Sequence, residues 1–393
     1  MYKVGLSVVV SLFFTTLIYA LFMNTHEYIG VFVRLSMLVA LGVGLYSAYR
    51  LNLNHIHTYF KKKNKLNRQR VKAKTLTLSL IWLFSVLFSY VMYSHLQQTL
   101  YFAYCLDALI FSPFILLAIY AWVVFLDQRQ LEPNDVYATI WFDLKNRRFT
   151  WQAYKLFILS SIVKIFYIPF VYGAACIAIE QLLLLENILA EPSQWVKFLF
   201  LFGICFDVTI AIGGYVFSSK FFATDTLSVD ETWQGWLVCL ICYPPFVIIF
   251  KFFTQQIDSY IWSDWLTPDS ILYWIWATLI CLTWICYWAA TVSFGFRFSN
   301  LSWRGLVNTG LYRYSKHPAY ISKNIYWWLH TVPFFGVVGL DLWRNVLALT
   351  AVSLTYYLRA KTEERHLMKF AEYREYQHWI SKHGLWAKIK KNK

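Results

Sequence analysis

The stretch KLFILSSIVKIFYIPFVYGAACIA, residues 155–178, decides the fold class of this chain. Lys164 is the only charged residue in its interior. An apolar run of this length matches the thickness of a bilayer when it is coiled as an α-helix, whereas a surface helix of a soluble domain has a charged face. The stretch therefore predicts a transmembrane helix.

The composition of the whole chain agrees with this prediction. Of 393 residues 59% are hydrophobic, 20% are aromatic and only 15% are charged. A soluble domain carries about 25% charged residues, so this chain lacks the residues for a water-facing surface. The seven cysteines lie in apolar stretches, where thiols act as small hydrophobes. A soluble enzyme, a disordered chain and a disulfide scaffold are excluded, and an all-α polytopic membrane bundle is predicted.

About ten spans are expected from stretches of similar length and hydrophobicity. They are residues 4–23, 29–49, 75–96, 99–126, 155–178, 196–217, 236–253, 270–293, 324–340 and 343–358. An even number of spans places both termini on the same side of the membrane.

The charges between the spans indicate which side that is. Lys and Arg collect in 61–74, 129–148 and 297–323, and they follow the last span, whereas alternate loops carry mostly acids. Because cytoplasmic loops are rich in Lys and Arg, both termini are predicted to be cytoplasmic, in a bacterial inner membrane or an endoplasmic-reticulum-type membrane. The loop 218–235, with its three acids, breaks this pattern. The net charge of +15 reflects topology, and no aromatic platform accompanies it, so nucleic acid is not an expected partner.

Four charges fall inside proposed spans, where each is costly. We expect Arg34 and Asp107 to extend towards the membrane surface, and Lys164 and Asp207 to pair between neighbouring helices. A transport function for the first spans is the alternative that this last pair suggests. The pair of cysteines at 239 and 242 has no nearby histidine or acid, so no metal site is expected.

Polar residues concentrate in FGFRFSNLSWRGLVNTGLYRYSKHPAYISKNIYWW, residues 294–328, and in YYLRAKTEERHLMKFAEYREYQHW, residues 356–379. From Arg297 to Lys323 there are five cations and no acid, which creates a positive environment. The proline of Lys316-His317-Pro318 disfavours helix at His317, so a helix should begin there. Glu363 and Glu364 are adjacent and point about 100° apart on a helix, so only one should face a given ligand.

These residues resemble the isoprenylcysteine carboxyl methyltransferase superfamily, integral membrane enzymes that include phospholipid methyltransferases. The first motif is Gly310-Leu311-Tyr312-Arg313 followed by Lys316-His317-Pro318-Ala319-Tyr320, and Lys316 stands where the family usually has arginine. The second motif comprises Arg359, Glu363-Glu364, Leu367, Tyr373 and Tyr376. The resemblance covers roughly residues 275–380.

The resemblance implies that S-adenosylmethionine is the methyl donor. By motif position it assigns cofactor contacts to Tyr312, His317, Pro318, Ala319, Tyr320, Glu363 and Glu364. A carboxylate or phosphate acceptor is ionised at neutral pH and needs no base, and Arg313 and Arg359 would orient it. An amine acceptor needs a base, for which a glutamate such as Glu364 is the candidate.

The chain is thus predicted to have two parts. Residues 1–269 form a bundle of about seven spans and are the candidate acceptor pocket for a membrane lipid or other lipophilic substrate. Residues 270–393 form the methyltransferase-like core with the cofactor site. A sterol-reductase-like NADPH enzyme and a non-enzymatic transporter or scaffold are the alternatives. The acceptor, the choice between oxygen and nitrogen methylation, and the oligomeric state stay open.

Overall fold

The computed structural model describes residues 1–22, 27–60, 64–186, 191–254, 261–332 and 336–391, and most of them are helical. Outside these ranges lie Lys61, Lys62 and Lys63 of the basic run 61–74, Asp258 of an acidic alternate loop, and Pro333 in the predicted span 324–340. The helices up to residue 183 are α1 Tyr2–Phe22, α2 Ile29–Leu51, α3 Leu53–Tyr59, α4 Arg68–Ser94, α5 Phe102–Ile110, α6 Ser112–Arg129, α7 Val136–Lys145 and α8 Trp151–Leu183.

The remaining elements follow residue 191. Its helices are α9 Pro192–Val216, α10 Trp233–Leu240, α11 Val247–Thr254, α12 Trp262–Trp265, α13 Ile271–Phe294, α14 Pro318–Thr331, α15 Leu340–Leu367, α16 Ala371–His383 and α17 Leu385–Lys391. Single 3-10 turns lie at Thr99–Tyr101, Lys220–Phe222, Gly295–Arg297 and Gly310–Arg313. Strands β1, Ser228–Val229, and β2, Ser302–Trp303, pair antiparallel.

Seven helices within the described ranges are long and apolar enough to cross a membrane: α1, α2, α4, α6, α8, α9 and α13. This finding confirms the all-α polytopic bundle and makes the chain an integral membrane protein. The count of about ten spans and the cytoplasmic position of both termini stay predictions.

Two of the predicted spans are interrupted at identifiable residues. The stretch 99–126 breaks at Phe111, after which α6 starts with Pro113 in its first turn. The stretch 236–253 is split into α10 and α11, with Pro244 and Pro245 between them. A proline cannot donate the helical hydrogen bond, so an apolar run that contains one need not be a single helix.

The two C-terminal stretches also differ from the prediction. Helix α14 starts earlier, at Pro318, and ends at Thr331. Helix α15 extends over 28 residues, from an apolar beginning at Leu340 through Glu363 and Glu364. One continuous helix therefore joins an apolar segment to the second sequence motif.

Close helix contacts in the centre of the bundle depend on glycine. A Cβ atom added at Gly203 of α9 would lie 2.0 Å from the indole of Trp288 on α13. One added at Gly213 would lie 2.0 Å from the ring of Phe296. Small residues allow membrane helices to approach closely, so these positions bring α9 against α13 and the segment that follows it.

The predicted pairing of Lys164 with Asp207 is wrong, and the predicted extension of Arg34 and Asp107 towards the membrane surface stays a prediction. Arg34 pairs with Asp107, because its Nε and Nη2 atoms donate to that carboxylate at 2.8 and 2.9 Å. Tyr172 donates to the same carboxylate at 2.6 Å, so α2, α5 and α8 are joined. Asp207 accepts from Tyr287 at 2.8 Å, and no ion pair joins it to Lys164 among the described residues.

The acidic loop 218–235 packs against the C-terminal core. Ser228 pairs with Trp303 and Val229 with Ser302 in the two-stranded ladder. Glu231 forms a 2.6 Å ion pair with Lys155 at the start of α8. This acid therefore neutralises a cation on the same side of the molecule, which accounts for one exception to the loop-charge pattern.

Candidate functional site

The first motif forms a turn that leads into α14. His317 has φ −134° and ψ 54°, outside the helical region, and Pro318 is the first residue of the helix. This conformation confirms the prediction made from the proline. The imidazole Nε2 of His317 lies 2.8 Å from Oε1 of Glu364, so the turn contacts α15 directly.

Glu364 is held by cations from both motifs. Lys316 Nζ lies 2.5 Å from its Oε1, and Lys361 Nζ lies 3.6 Å from its Oε2. The hydrogen bond with His317 and then the one with Lys316 lower the pKa of Glu364 to about 2. Glu364 is therefore ionised at neutral pH and is a poor proton acceptor.

A cavity with about 430 Å³ of empty space, part of it open to the surface, lies beside Glu364. Helix α15 lines it with Arg359, Thr362, Glu363, His366 and Leu367. Their spacing of three and four residues places them on one face of the helix. Glu363 and Glu364 therefore contact different surroundings, as their adjacent positions require. The opposite walls contain Asp230, Cys239, Asn300 and Tyr320.

Arg359 carries a buried positive charge at one end of this cavity. It is only 7% exposed, and its Nη2 donates to Asn300 Oδ1 at 3.2 Å. Its guanidinium lies 5.4 Å from the ring centroid of Tyr320 and 5.6 Å from that of Tyr243. No carboxylate forms an ion pair with it in the part of the chain that the structure describes. An anion bound here would compensate a charge that the protein leaves unpaired.

His366 and Asp230 are polar groups at this cavity that the sequence did not single out. His366 is 4% exposed, and neither ring nitrogen has a hydrogen-bond partner among the described residues. Burial lowers the pKa of His366, which keeps its ring neutral at pH 7. Asp230 is 3% exposed, and its Oδ1 accepts from the backbone N and the hydroxyl of Thr232 at 2.9 and 2.7 Å.

One feature of the sequence could have identified His366, and none could have identified Asp230. His366 follows Glu363 by three residues, so it lies on the same face of α15. Asp230 reaches the cavity through the β1 and β2 pairing, which links segments about seventy residues apart and is too short to recognise from sequence.

Some of the predicted cofactor residues line the cavity, and the others do not. Tyr320 and Glu363 line it, and His317 contacts Glu364. Tyr312 and Pro318 are buried and Ala319 is half-buried. The Tyr312 carbonyl accepts from Tyr376 at 2.6 Å, which connects the first motif to α16.

Arg313 and Arg359 do not come together. Arg313 is exposed and lines a separate surface cleft with Tyr314, Glu372 and Trp379. The two arginines that the resemblance assigned to one acceptor therefore line different cavities. The role of Arg313 stays a prediction that the geometry does not favour.

Comparison with known proteins gives one match, to a segment in the C-terminal half of the chain. Residues 272–369 match the model of the isoprenylcysteine carboxyl methyltransferase (ICMT) family, which confirms the resemblance stated from the two motifs. The match begins in α13 and ends just after α15, so it includes His317, Tyr320, Arg359 and Glu363. No curated protein and no solved structure matches the chain. The match supports a membrane methyltransferase.

Proposed function

We propose that this protein is an integral membrane methyltransferase that uses S-adenosylmethionine and methylates a lipophilic acceptor at the cytoplasmic face. The observation that carries the proposal is one cavity at which four residues of the family-matched segment meet: Tyr320, Arg359, Glu363 and His366. Two of these groups, Arg359 and His366, are buried: among the described residues no carboxylate pairs with Arg359, and neither ring nitrogen of His366 has a hydrogen-bond partner. A polar ligand would supply those partners.

The residues present fit S-adenosylmethionine. Its amino-acid end carries an ammonium and a carboxylate, and its ribose carries hydroxyl donors, so a carboxylate such as Glu363 suits it. The neutral ring of His366 offers one donor and one acceptor. When bound, the cofactor supplies an electrophilic methyl group that a nucleophile takes in line with the departing thioether.

The roles of the residues follow from their positions along α15. Arg359 lies nearer the apolar beginning of the helix, and His366 lies at its polar end. We assign Arg359 to the acceptor, which arrives from the membrane, and Glu363 to the donor, which arrives from the cytoplasm. Tyr320 and Tyr243 flank Arg359 and exclude water from it.

The electrostatics favour an ionised oxygen nucleophile. A carboxylate or phosphate pairs with Arg359 and needs no base at neutral pH. An amine must lose a proton first, and Glu364 accepts one poorly because its pKa is about 2. Glu364 therefore acts in this proposal by fixing the first motif against α15 through Lys316 and His317.

The test is methyl transfer by purified protein in detergent. With S-adenosylmethionine labelled in the methyl group and lipid extract as acceptor, we expect label in a lipophilic product whose mass increases by one methyl group. Glu363→Gln should lower the rate about tenfold or more, because a charged hydrogen bond is lost. Glu132→Gln, at an exposed loop position, is the matched control. Absence of transfer together with NADPH oxidation would support the reductase alternative instead.

A further inference from the structure

We propose that Asp230, which lies outside the family-matched segment, completes the donor site by binding the ammonium group of the cofactor together with Glu363. This inference rests on the proposed function. Asp230 and Glu363 line the same cavity, although Asp230 precedes residue 272, where the family match begins, and Glu363 lies within the match. The site would thus combine α15 with a loop that precedes the family-matched segment.

The backbone of Asp230 is fixed against the C-terminal core. Its N–H donates to the carbonyl of Leu301 at 2.8 Å, directly beside the ladder of β1 and β2. Its own carbonyl accepts from the indole of Trp236 at 2.6 Å. Both backbone groups are therefore paired, and the side chain has a defined position at the cavity wall.

No ion pair compensates the charge of Asp230 in the part of the chain that the structure describes. Its Oδ1 is occupied by Thr232, but no cation forms an ion pair with it in the ranges the structure describes. A carboxylate that is 3% exposed is costly without a compensating charge. The same cavity contains His366, a buried side chain whose two ring nitrogens lack partners among the described residues. Asp230, Glu363 and a ring nitrogen of His366 thus offer hydrogen-bond acceptors at this cavity.

A primary ammonium group is the chemistry that fits these acceptors. It carries one positive charge and three hydrogen-bond donors, so it can bind two carboxylates and a further acceptor at once. The sulfonium of the same cofactor has no donor and cannot use them in this way. Arg359 is a cation at this cavity, so the ammonium group is expected on the side of Asp230 and Glu363.

The variant Asp230→Asn removes the negative charge but keeps the local hydrogen bonds, because an asparagine oxygen can still accept from Thr232. Binding is measured by calorimetry with two ligands, S-adenosylhomocysteine and 5′-methylthioadenosine, of which the second lacks the amino-acid end. We expect affinity for S-adenosylhomocysteine to fall about 10- to 100-fold, the range for a charged hydrogen bond, and affinity for 5′-methylthioadenosine to stay unchanged. Glu231→Gln is the control, since Glu231 is the adjacent acid and pairs with Lys155 instead.

Equal losses for both ligands, or no loss for either, would overturn the role of Asp230. A second measurement needs no variant: wild-type protein should bind a deaminated S-adenosylhomocysteine, which keeps the carboxylate, at least about tenfold more weakly than the parent ligand. Equal affinities would also overturn the inference. If wild-type protein binds none of these ligands, the proposed function itself fails. If it binds them but Asp230→Asn has no effect, only the role of Asp230 fails.

Discussion

Two regions of the molecule bury charges at similar depth but treat them differently. At the ends of α4 and α6, Asp127 is 0% exposed and accepts from Arg70 at 2.5 and 2.9 Å. Lys74, which is 3% exposed, pairs with Asp135 at 2.8 Å. Each charge in this paired cluster has an opposite charge in contact. At the cavity, Arg359 and Asp230 are similarly buried, and no opposite charge pairs with either of them among the described residues.

This difference separates buried charges that stabilise the fold from buried charges that a bound ligand would compensate. Removing one member of a buried pair leaves an uncompensated charge and costs about 3–5 kcal/mol. A buried charge that the protein leaves unpaired has the opposite effect, because it destabilises the protein until a ligand binds. The paired cluster and the cavity should therefore respond in opposite ways to neutralising substitutions.

The largest effect is expected in the paired cluster. Asp127→Asn should lower the free energy of unfolding by about 3–5 kcal/mol, because it leaves Arg70 without its carboxylate. Denaturant-induced unfolding in mixed micelles measures this loss, and donor affinity of the protein that remains folded should be unchanged. Glu132→Gln, an exposed acid nearby, is the control. A loss below about 1 kcal/mol would remove the contrast between the two regions.

Arg359→Met should lower activity without lowering stability. We expect methyl transfer to fall about 100-fold or more, because truncating a buried charge that binds an anion costs about 2–5 kcal/mol. The melting temperature should stay the same or rise, since the substitution removes an uncompensated charge from the interior.

The control for this change is Arg344→Met, an exposed arginine at the other end of the same helix. Rates at saturating donor and thermal unfolding are measured on all three proteins. A strongly lowered melting temperature in Arg359→Met, with normal transfer by the protein that remains folded, would assign Arg359 to the fold.

The effect of Glu364→Gln on the melting temperature should depend on pH. Because the folded-state pKa of Glu364 is lowered to about 2, its ionised form stabilises the fold above its unfolded pKa of about 4.3. This contribution is lost as the pH falls towards 2. The melting temperature of the variant should therefore lie below that of wild type at pH 7, and the gap should narrow at pH 3. Glu375→Gln, on an exposed face of α16, should show no gap at either pH. A gap that widens in acid would refute the ion-pair role.

The smallest effect is expected at Asp207. Asparagine can still accept from Tyr287, so Asp207→Asn should change methyl transfer less than about threefold. The transporter hypothesis expects the reverse, a loss of function at Asp207 with tolerance of changes at His317 and Glu363. Transfer assays on Asp207→Asn and Glu363→Gln in parallel distinguish the two.

The sequence predicted the parts of the structure that depend on local pattern. Apolar runs identified the helical bundle, the proline after His317 predicted the start of α14, and the spacing of the two motifs predicted the ICMT-family match. The adjacent glutamates were expected to diverge, and they contact different groups.

What the sequence did not predict depends on contacts between distant segments. The pair of Arg34 and Asp107 joins residues that are 73 positions apart, and hydropathy contains no information about it. Asp230 was interpreted only as an unusual loop charge, because its position at the cavity requires the pairing of β1 with β2. The breaks at Phe111 and between α10 and α11 were not predicted, because each apolar run was interpreted as one span despite the prolines in it.

The central claim is that the cavity beside Glu363 holds the methyl donor, and calorimetry with S-adenosylmethionine tests it most directly. Wild-type protein in detergent should bind one molecule per chain, and Glu363→Gln should bind it at least about tenfold more weakly with an unchanged melting temperature. Folded wild-type protein that releases no heat of binding, or a Glu363→Gln variant with wild-type affinity, would contradict the account.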